Sequence, residues 1–179
     1  MEYKWSTRPY TEGDEEGIFE LDRAVHPVQM WDTKELWMQW WHWKYKENPA
    51  GNGWVWLAEH KGRIVGHYAI IPVVIRVGGD SATSFQSVDT MTHPDYRRQG
   101  VFQSLAVTAY AQAANDGVHF GYGFHNKYSY PIFINRLRWF NISTRRILFR
   151  PLNWQNTLRL KINNSFLLIS CAAGGKIFE

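Results

Sequence analysis

At 179 residues and 21.0 kDa the chain has the length of one ordinary domain, and its 45% hydrophobic content predicts a packed core rather than disorder. The net charge of +4 and pI near 9.2 suit a ligand with several phosphates. Cations between Arg136 and Lys161 interleave with Trp139, Phe140, Phe149 and Trp154, but without an Arg/Lys run or a recognition-helix pattern no nucleic acid is expected.

The N-terminal ten residues lack an apolar signal core. The most apolar stretch, Phe166 to Ala173, is far short of the about twenty residues that span a bilayer. Together these predict a soluble, cytoplasmic protein with no membrane span. Lys4 to Pro9 reads as a first strand. Thr11 with Asp14 three residues later resembles a capping box, and the following helix carries Ile18, Leu21 and Val25 at helical spacing before Pro27. A second helix is predicted from near Asp32 to before Pro49, with Leu36, Trp37, Trp40, Trp41 and Trp43 facing the core. Trp54 to Ala58 and Arg63 to Val77 read as a hairpin about Lys61-Gly62, in which Pro72 demands a bulge or an unpaired edge. Gly78-Gly79-Asp80 turns into a strand reaching Thr92. A helix follows from about Val101 to Asp116, with Gly117 as its C′ residue. His119 to Phe124 is predicted as a strand, Tyr128 to Leu137 as a short helix, and Ile142 to Phe149 as a last strand. This order, β-α-α-β-β-β-α-β-α-β, defines an α/β domain.

The single cysteine, Cys171, excludes an intrachain disulfide and reads as a small buried hydrophobe. The seven histidines lack the i, i+4 pairing of a helical metal site, and His119 and His125, flanking one strand, read as structural. No metal is expected.

Val88 to Ala106 is the most informative segment. Gly100 precedes a helix whose first N–H groups lack intrahelical partners, and the helix dipole favours negative charge there. With Arg97 and Arg98 alongside, Arg97-Arg98-Gln99-Gly100-Val101-Phe102 forms a pyrophosphate cradle. This segment resembles the acetyl-coenzyme A loop of the GNAT superfamily of N-acetyltransferases, in which an Arg or Gln is followed by two residues, Gly, one residue, and Gly or Ala. Arg97, Gly100, Pro94 and Tyr96 match, whereas Phe102 stands where Gly or Ala is usual and Thr92 where Val is usual. Asp89-Thr90-Met91-Thr92-His93-Pro94-Asp95-Tyr96-Arg97 and the Trp43 to Gly51 segment are similar to those of one subset of the superfamily. Phe124-His125-Asn126-Lys127-Tyr128-Ser129 departs from the same subset at His125.

The resemblance covers about Trp5 to Arg150 and implies a GNAT domain over 1–150. Residues 151–179 would then be a C-terminal extension of uncertain structure, the start of a truncated region. It implies a mostly antiparallel mixed sheet of about six to seven strands, splayed where acetyl-CoA enters, with about four helices. It places the thioester against the main chain of Thr90, Met91 and Thr92, the diphosphate against Arg97, Arg98, Gln99, Gly100, Val101 and Phe102, and further cofactor contacts at Asn126 and Ser129.

The usual glutamate base falls at Gln86, which takes no proton, so Asp89 is the nearest candidate, against a reading as a satisfied structural acid. The usual tyrosine acid falls at Phe133, leaving Tyr130 as a candidate substitute, against a reading as an amphipathic packing residue. The Trp31–Trp43 cluster reads either as packing of the second helix or as indoles lining an acceptor pocket, where flat faces suit a sugar ring. The implied activity is acetyl transfer from acetyl-CoA to a small-molecule primary amine, conceivably an amino sugar. The alternatives are a GNAT-fold acyl-CoA-binding module and a peptide or protein N-acetyltransferase. A homodimer is compatible with the sequence.

Overall fold

The computed structural model describes residues 4–26 and 31–143, and its elements lie within a compact unit spanning residues 1–140. Residues 144–149 of the last predicted strand, the tail 151–179, Cys171 and the apolar stretch 166–173 lie outside the described residues. Among the described residues no helix is long and apolar enough to cross a membrane.

Strand β1, Ser6–Pro9, leads into helix α1, Glu15–Val25. The Asp14 carboxylate accepts from the Thr11 N–H (2.8 Å) and hydroxyl (3.0 Å), and the Arg8 guanidinium donates to it at 2.6 and 2.8 Å. The N-cap is Asp14 rather than Thr11 and makes no side-chain capping bond, so only the backward-reaching half of the expected box forms.

Helix α2, Lys34–Tyr45, starts at Thr33, whose hydroxyl accepts from the Leu36 N–H at 3.3 Å. Its buried seam is Trp37, Trp41 and Tyr45, each 1% exposed. The expected core set is corrected at two positions: Leu36 is 44% and Trp43 61% exposed. Those two residues lie seven apart on a stripe that the i, i+4, i+8 seam turns away from the sheet.

Strands β2 (Trp54–His60), β3 (Arg63–Val77) and β4 (Asp80–Thr92) form an antiparallel meander. The β2 ladder begins at Trp54↔Ile70, so Pro72 lies on the part of β3 with no β2 partner, as a residue lacking an N–H requires. A one-turn 3₁₀ helix (Pro94–Tyr96) and helix α3 (Val101–Asn115) follow, then β5 (Gly121–Gly123) and α4 (Tyr130–Asn135). Strand β5 is half the predicted length, and α4 is shorter than predicted at both ends. The order is β1-β2-β3-β4-β5, antiparallel throughout except for the parallel β4–β5 pair. This is the mixed, mostly antiparallel sheet expected, with five strands among the described residues rather than six to seven.

From Ile64 to Ile70 β3 buries both faces. Tyr68 and Ile70 join Leu105, Ala109 and Phe133 of α3 and α4, while Ala69 and the partly buried Ile71 join Leu21, Trp37 and Trp41 of α1 and α2. Gly66 is needed where α3 crosses: a Cβ there would lie 2.5 Å from Val101 Cγ1 and 3.0 Å from the Ala58 Cβ.

Candidate active site

Two local irregularities open the sheet. Strands β4 and β5 pair only from Phe85↔Gly121 to Ser87↔Gly123. Val88–Thr92 therefore has no strand partner on its β5 side among the described residues. On the other side the β3–β4 register passes from His67↔Met91 to Ala69↔Val88, so β4 carries one extra residue in a bulge. Asp89, in that bulge, has φ +42, a left-handed conformation that aspartate tolerates better than most residues.

The gap is a cavity of about 490 Å³. Val88, Asp89, Thr90 and Met91 line one side, and Phe124, His125, Asn126, Ser129 and Phe133 line the other. Its far end is formed by Trp31, Trp37, Trp40 and Trp41 with Asp22 and His26. One continuous space thus joins the open edge of β4 to a tryptophan-lined chamber.

The structure brings Asp89, Thr90, Met91, Asn126 and Ser129 together around this cavity. The loop residues Arg97, Arg98, Gln99 and Gly100 are exposed beyond it, and Gly100, at φ +82, is the N-cap of α3. Arg97 donates from Nε to the Thr92 carbonyl (3.4 Å), and the Gln99 amide donates to the Asp95 carbonyl (2.9 Å), so the loop is tied back to the end of β4. Val101 and Phe102 turn their side chains into the core, leaving only their main chain for a ligand. The Asn126 side chain accepts from the Tyr128 and Ser129 N–H groups at 2.9 and 3.0 Å, an Asx turn that starts α4.

The two candidate proton carriers stand differently. Asp89 lines the cavity, but its carboxylate accepts from Lys44 Nζ at 2.5 Å and from the Tyr45 hydroxyl. Burial, and then the Asp89 charge, raise the Tyr45 hydroxyl well above its ordinary pKa, so Tyr45 stays a donor. Tyr130, 38% exposed at the start of α4, is not among the residues lining the cavity, whereas Phe133 is. Gln86 accepts from the Tyr122 hydroxyl at 3.2 Å across the β4–β5 pair.

Two further histidines line the cavity: His67, which sequence reasoning passed over, and His125, which it read as structural. His67 is 1% exposed, and its Nδ1 donates to the Asp89 backbone carbonyl at 2.7 Å. That bond places the ring's proton on Nδ1 and leaves Nε2 as a bare acceptor, which has no protein partner among the described residues. An unpaired buried acceptor costs about 1–3 kcal/mol. Burial lowers the pKa of His67 below its ordinary value, so the ring is neutral at pH 7. His125 stacks on Phe133 with centroids 3.4 Å apart, and its Nε2 is likewise buried without a protein partner. The indole N–H of Trp41 is a third such group. The signal for His67 was its place as the one histidine in the apolar run from Ile64 to Ile71. His119, by contrast, is exposed.

A sheet that parts beside a helix-capping glycine loop, with a cavity running through the gap, defines an acyl-CoA-dependent transferase architecture. A model of the acetyltransferase (GNAT) domain matches residues 6–134, and the chain belongs to that family. Comparison with curated proteins returns no match. Among solved structures, the chain is similar to glucosamine-6-phosphate N-acetyltransferase from Arabidopsis thaliana (11% identity, TM-score 0.64, covering 81% of this chain and 97% of that one). It is also similar to an acetyltransferase from Clostridium acetobutylicum solved with acetyl-CoA (14%, 0.63, 82% and 96%). A third is an aminoglycoside acetyltransferase from an uncultured soil metagenomic sample, solved with trehalose (16%, 0.56, 82% and 95%). At these identities the likeness is one of fold.

Proposed function

We propose that this protein transfers the acetyl group of acetyl-CoA to a primary amine of a small molecule, with an amino sugar as the favoured acceptor. The observation that carries the reading is the single cavity joining the unpaired edge of β4 to the tryptophan-lined chamber. The residues present fit the co-substrate. The N-terminus of α3 behind the exposed Gly100, with the exposed Arg97 and Arg98, suits the diphosphate. The open edge at Thr90–Thr92 suits the pantetheine amides and the thioester carbonyl, with Asn126 and Ser129 facing it across the gap. Acetyl-CoA supplies an activated acyl group and a thiolate leaving group, and the chain holds it beside the amine.

The acceptor half combines flat indole faces at Trp31 and Trp40 with the Asp22 carboxylate. Indole faces stack on sugar rings and attract cations, and a carboxylate receives an ammonium. The cavity also carries the unpaired Trp41 N–H, a donor suited to a hydroxyl oxygen. Tyr130 has no part in this reading. Asp89 acts on the site through its backbone, its carboxylate being held by Lys44 and Tyr45.

The test combines thermal unfolding with CoA and thiol release from acetyl-CoA across amino sugars, polyamines, amino acids and peptides. CoA at a hundredfold excess over Kd stabilises by about 2.7 kcal/mol. Gly100→Asp, which puts a side chain and a negative charge in the cradle, abolishes that shift. Thiol release is fastest with amino sugars. Peptides as the best substrates would make this a protein-modifying enzyme, and a CoA shift without thiol release from any amine would make it a binding module.

A further inference from the structure

We propose that His67 is the general base of the transfer, its Nε2 taking the proton of the acceptor amine. The inference rests on the acetyltransferase reading above and adds the proton acceptor missing from it, since Gln86 carries no ionisable group.

The geometry has three independent parts. His67 lines the cavity between the β4 edge, where Thr90 and Met91 lie, and Trp37 and Trp41 of the chamber. Its Nε2 is buried and without a protein partner among the described residues, which leaves its lone pair able to take a proton. Its Nδ1–H is held by the Asp89 carbonyl, which the β4 bulge and the φ of +42 turn out of the ladder toward the imidazole. Asp89 is thus a positioning residue, and Lys44 and Tyr45 anchor its carboxylate so that the bulge keeps its shape. The tautomer is set from the backbone, so no carboxylate neutralises the imidazolium directly.

The step balances as follows. The neutral amine's lone pair forms the C–N bond to the thioester carbonyl carbon while Nε2 takes one proton from that nitrogen. The C–S bond then breaks with its electron pair on sulfur. The imidazolium returns its proton to the thiolate, giving the amide, the free thiol of CoA and neutral His67. The groups that face the ring are Tyr45 at 6.1 Å between centroids, Asp89 and Lys44, with the Asp22 charge also felt there. Burial lowers the His67 pKa more than these charges move it, so the base form dominates at neutral pH.

His67→Gln tests the assignment, with the best acceptor of the panel above. The expected result is a fall in kcat of about 10²–10⁴-fold, loss of the acidic limb of the kcat profile, and an unchanged thermal shift with CoA. A variant within a few-fold of the parent rate, its acidic limb intact, overturns the inference while leaving the acetyltransferase reading standing. A parent protein that binds CoA but acetylates no amine overturns both. Nitrogen-15 NMR of the unsubstituted protein decides the case even where the variant does not fold. At pH 7 His67 is expected to carry its proton on Nδ1 and none on Nε2, and a protonated Nε2 would overturn the assignment.

Discussion

Three side chains that depart from the family's pattern meet in one aromatic cluster. Phe102, in place of glycine or alanine, lies 5.1 Å from Phe133, and Phe133, in place of the usual tyrosine, lies 3.4 Å beneath His125. Each departure looks isolated in the sequence, yet the rings pack as one unit with Trp139. The aromatic volume added at Phe102 occupies the space between α3 and α4. Phe133 therefore acts by packing, and the expected proton donor is absent from its usual place. Tyr130 is 38% exposed and outside the cavity lining, so Tyr130→Phe is expected to leave kcat unchanged, and a fall of a decade or more in a steady-state assay would assign it the role. Asp89→Asn has the opposite signature. It removes a charge accepting from both Lys44 and Tyr45, so it lowers stability by about 1–3 kcal/mol in a denaturant titration while the CoA shift persists.

At the scale of elements, α2 separates its tryptophans by face. Trp37 and Trp41 border the cavity but are each 1% exposed, so Trp37→Ala and Trp41→Ala are each expected to cost about 3–5 kcal/mol, whereas Trp43→Ala stays within about 0.5 kcal/mol. Trp40 lines the cavity while half-buried, so Trp40→Ala raises the acceptor KM with little loss of stability. Unfolding midpoints measured beside acceptor kinetics separate the two classes. The start of α1 makes a pH prediction. Arg8, donating to Asp14, lowers that carboxyl from 3.8 to about 2. The unfolded chain therefore binds a proton more readily than the native one in this range, so the Asp14 contribution is complete above pH 3.8 and is lost as pH falls through about 2. Acid unfolding of Arg8→Met should lack that segment of the curve.

Across the whole molecule the site depends on how closely α3 approaches the sheet. Gly66→Val forces a side chain into Val101 and the Ala58 Cβ, both backed by the core. It is expected to cost about 1–3 kcal/mol and to weaken CoA binding, because the same helix N-terminus is the proposed cradle. Thermal unfolding with and without CoA checks both effects. A variant that loses stability but keeps the full CoA shift would show that the cradle tolerates movement of α3.

Much of this architecture is local and so was legible in the sequence. The Arg97–Gly100 loop, the Gly78-Gly79 turn, the Gly117 stop and the meander from Trp54 to Thr92 are written in turn chemistry and periodicity, which neighbouring residues alone enforce. Thr90, Met91, Asn126 and Ser129 were named through the family resemblance, which sets their offsets from the loop. Composition also required a packed α/β core and left room for a polyphosphate ligand. Tertiary structure decided what depends on partners distant in sequence. The sheet's parting after Ser87↔Gly123, the extra residue at Asp89, and the division of α2's indoles into buried Trp37 and Trp41, half-buried Trp40 and exposed Trp43 each depend on what packs opposite. His67 is the clearest case. Its neighbours in sequence mark it only as a histidine in an apolar strand, and its tautomer and bare Nε2 come from a carbonyl 22 residues away in a bulge that no local pattern announces.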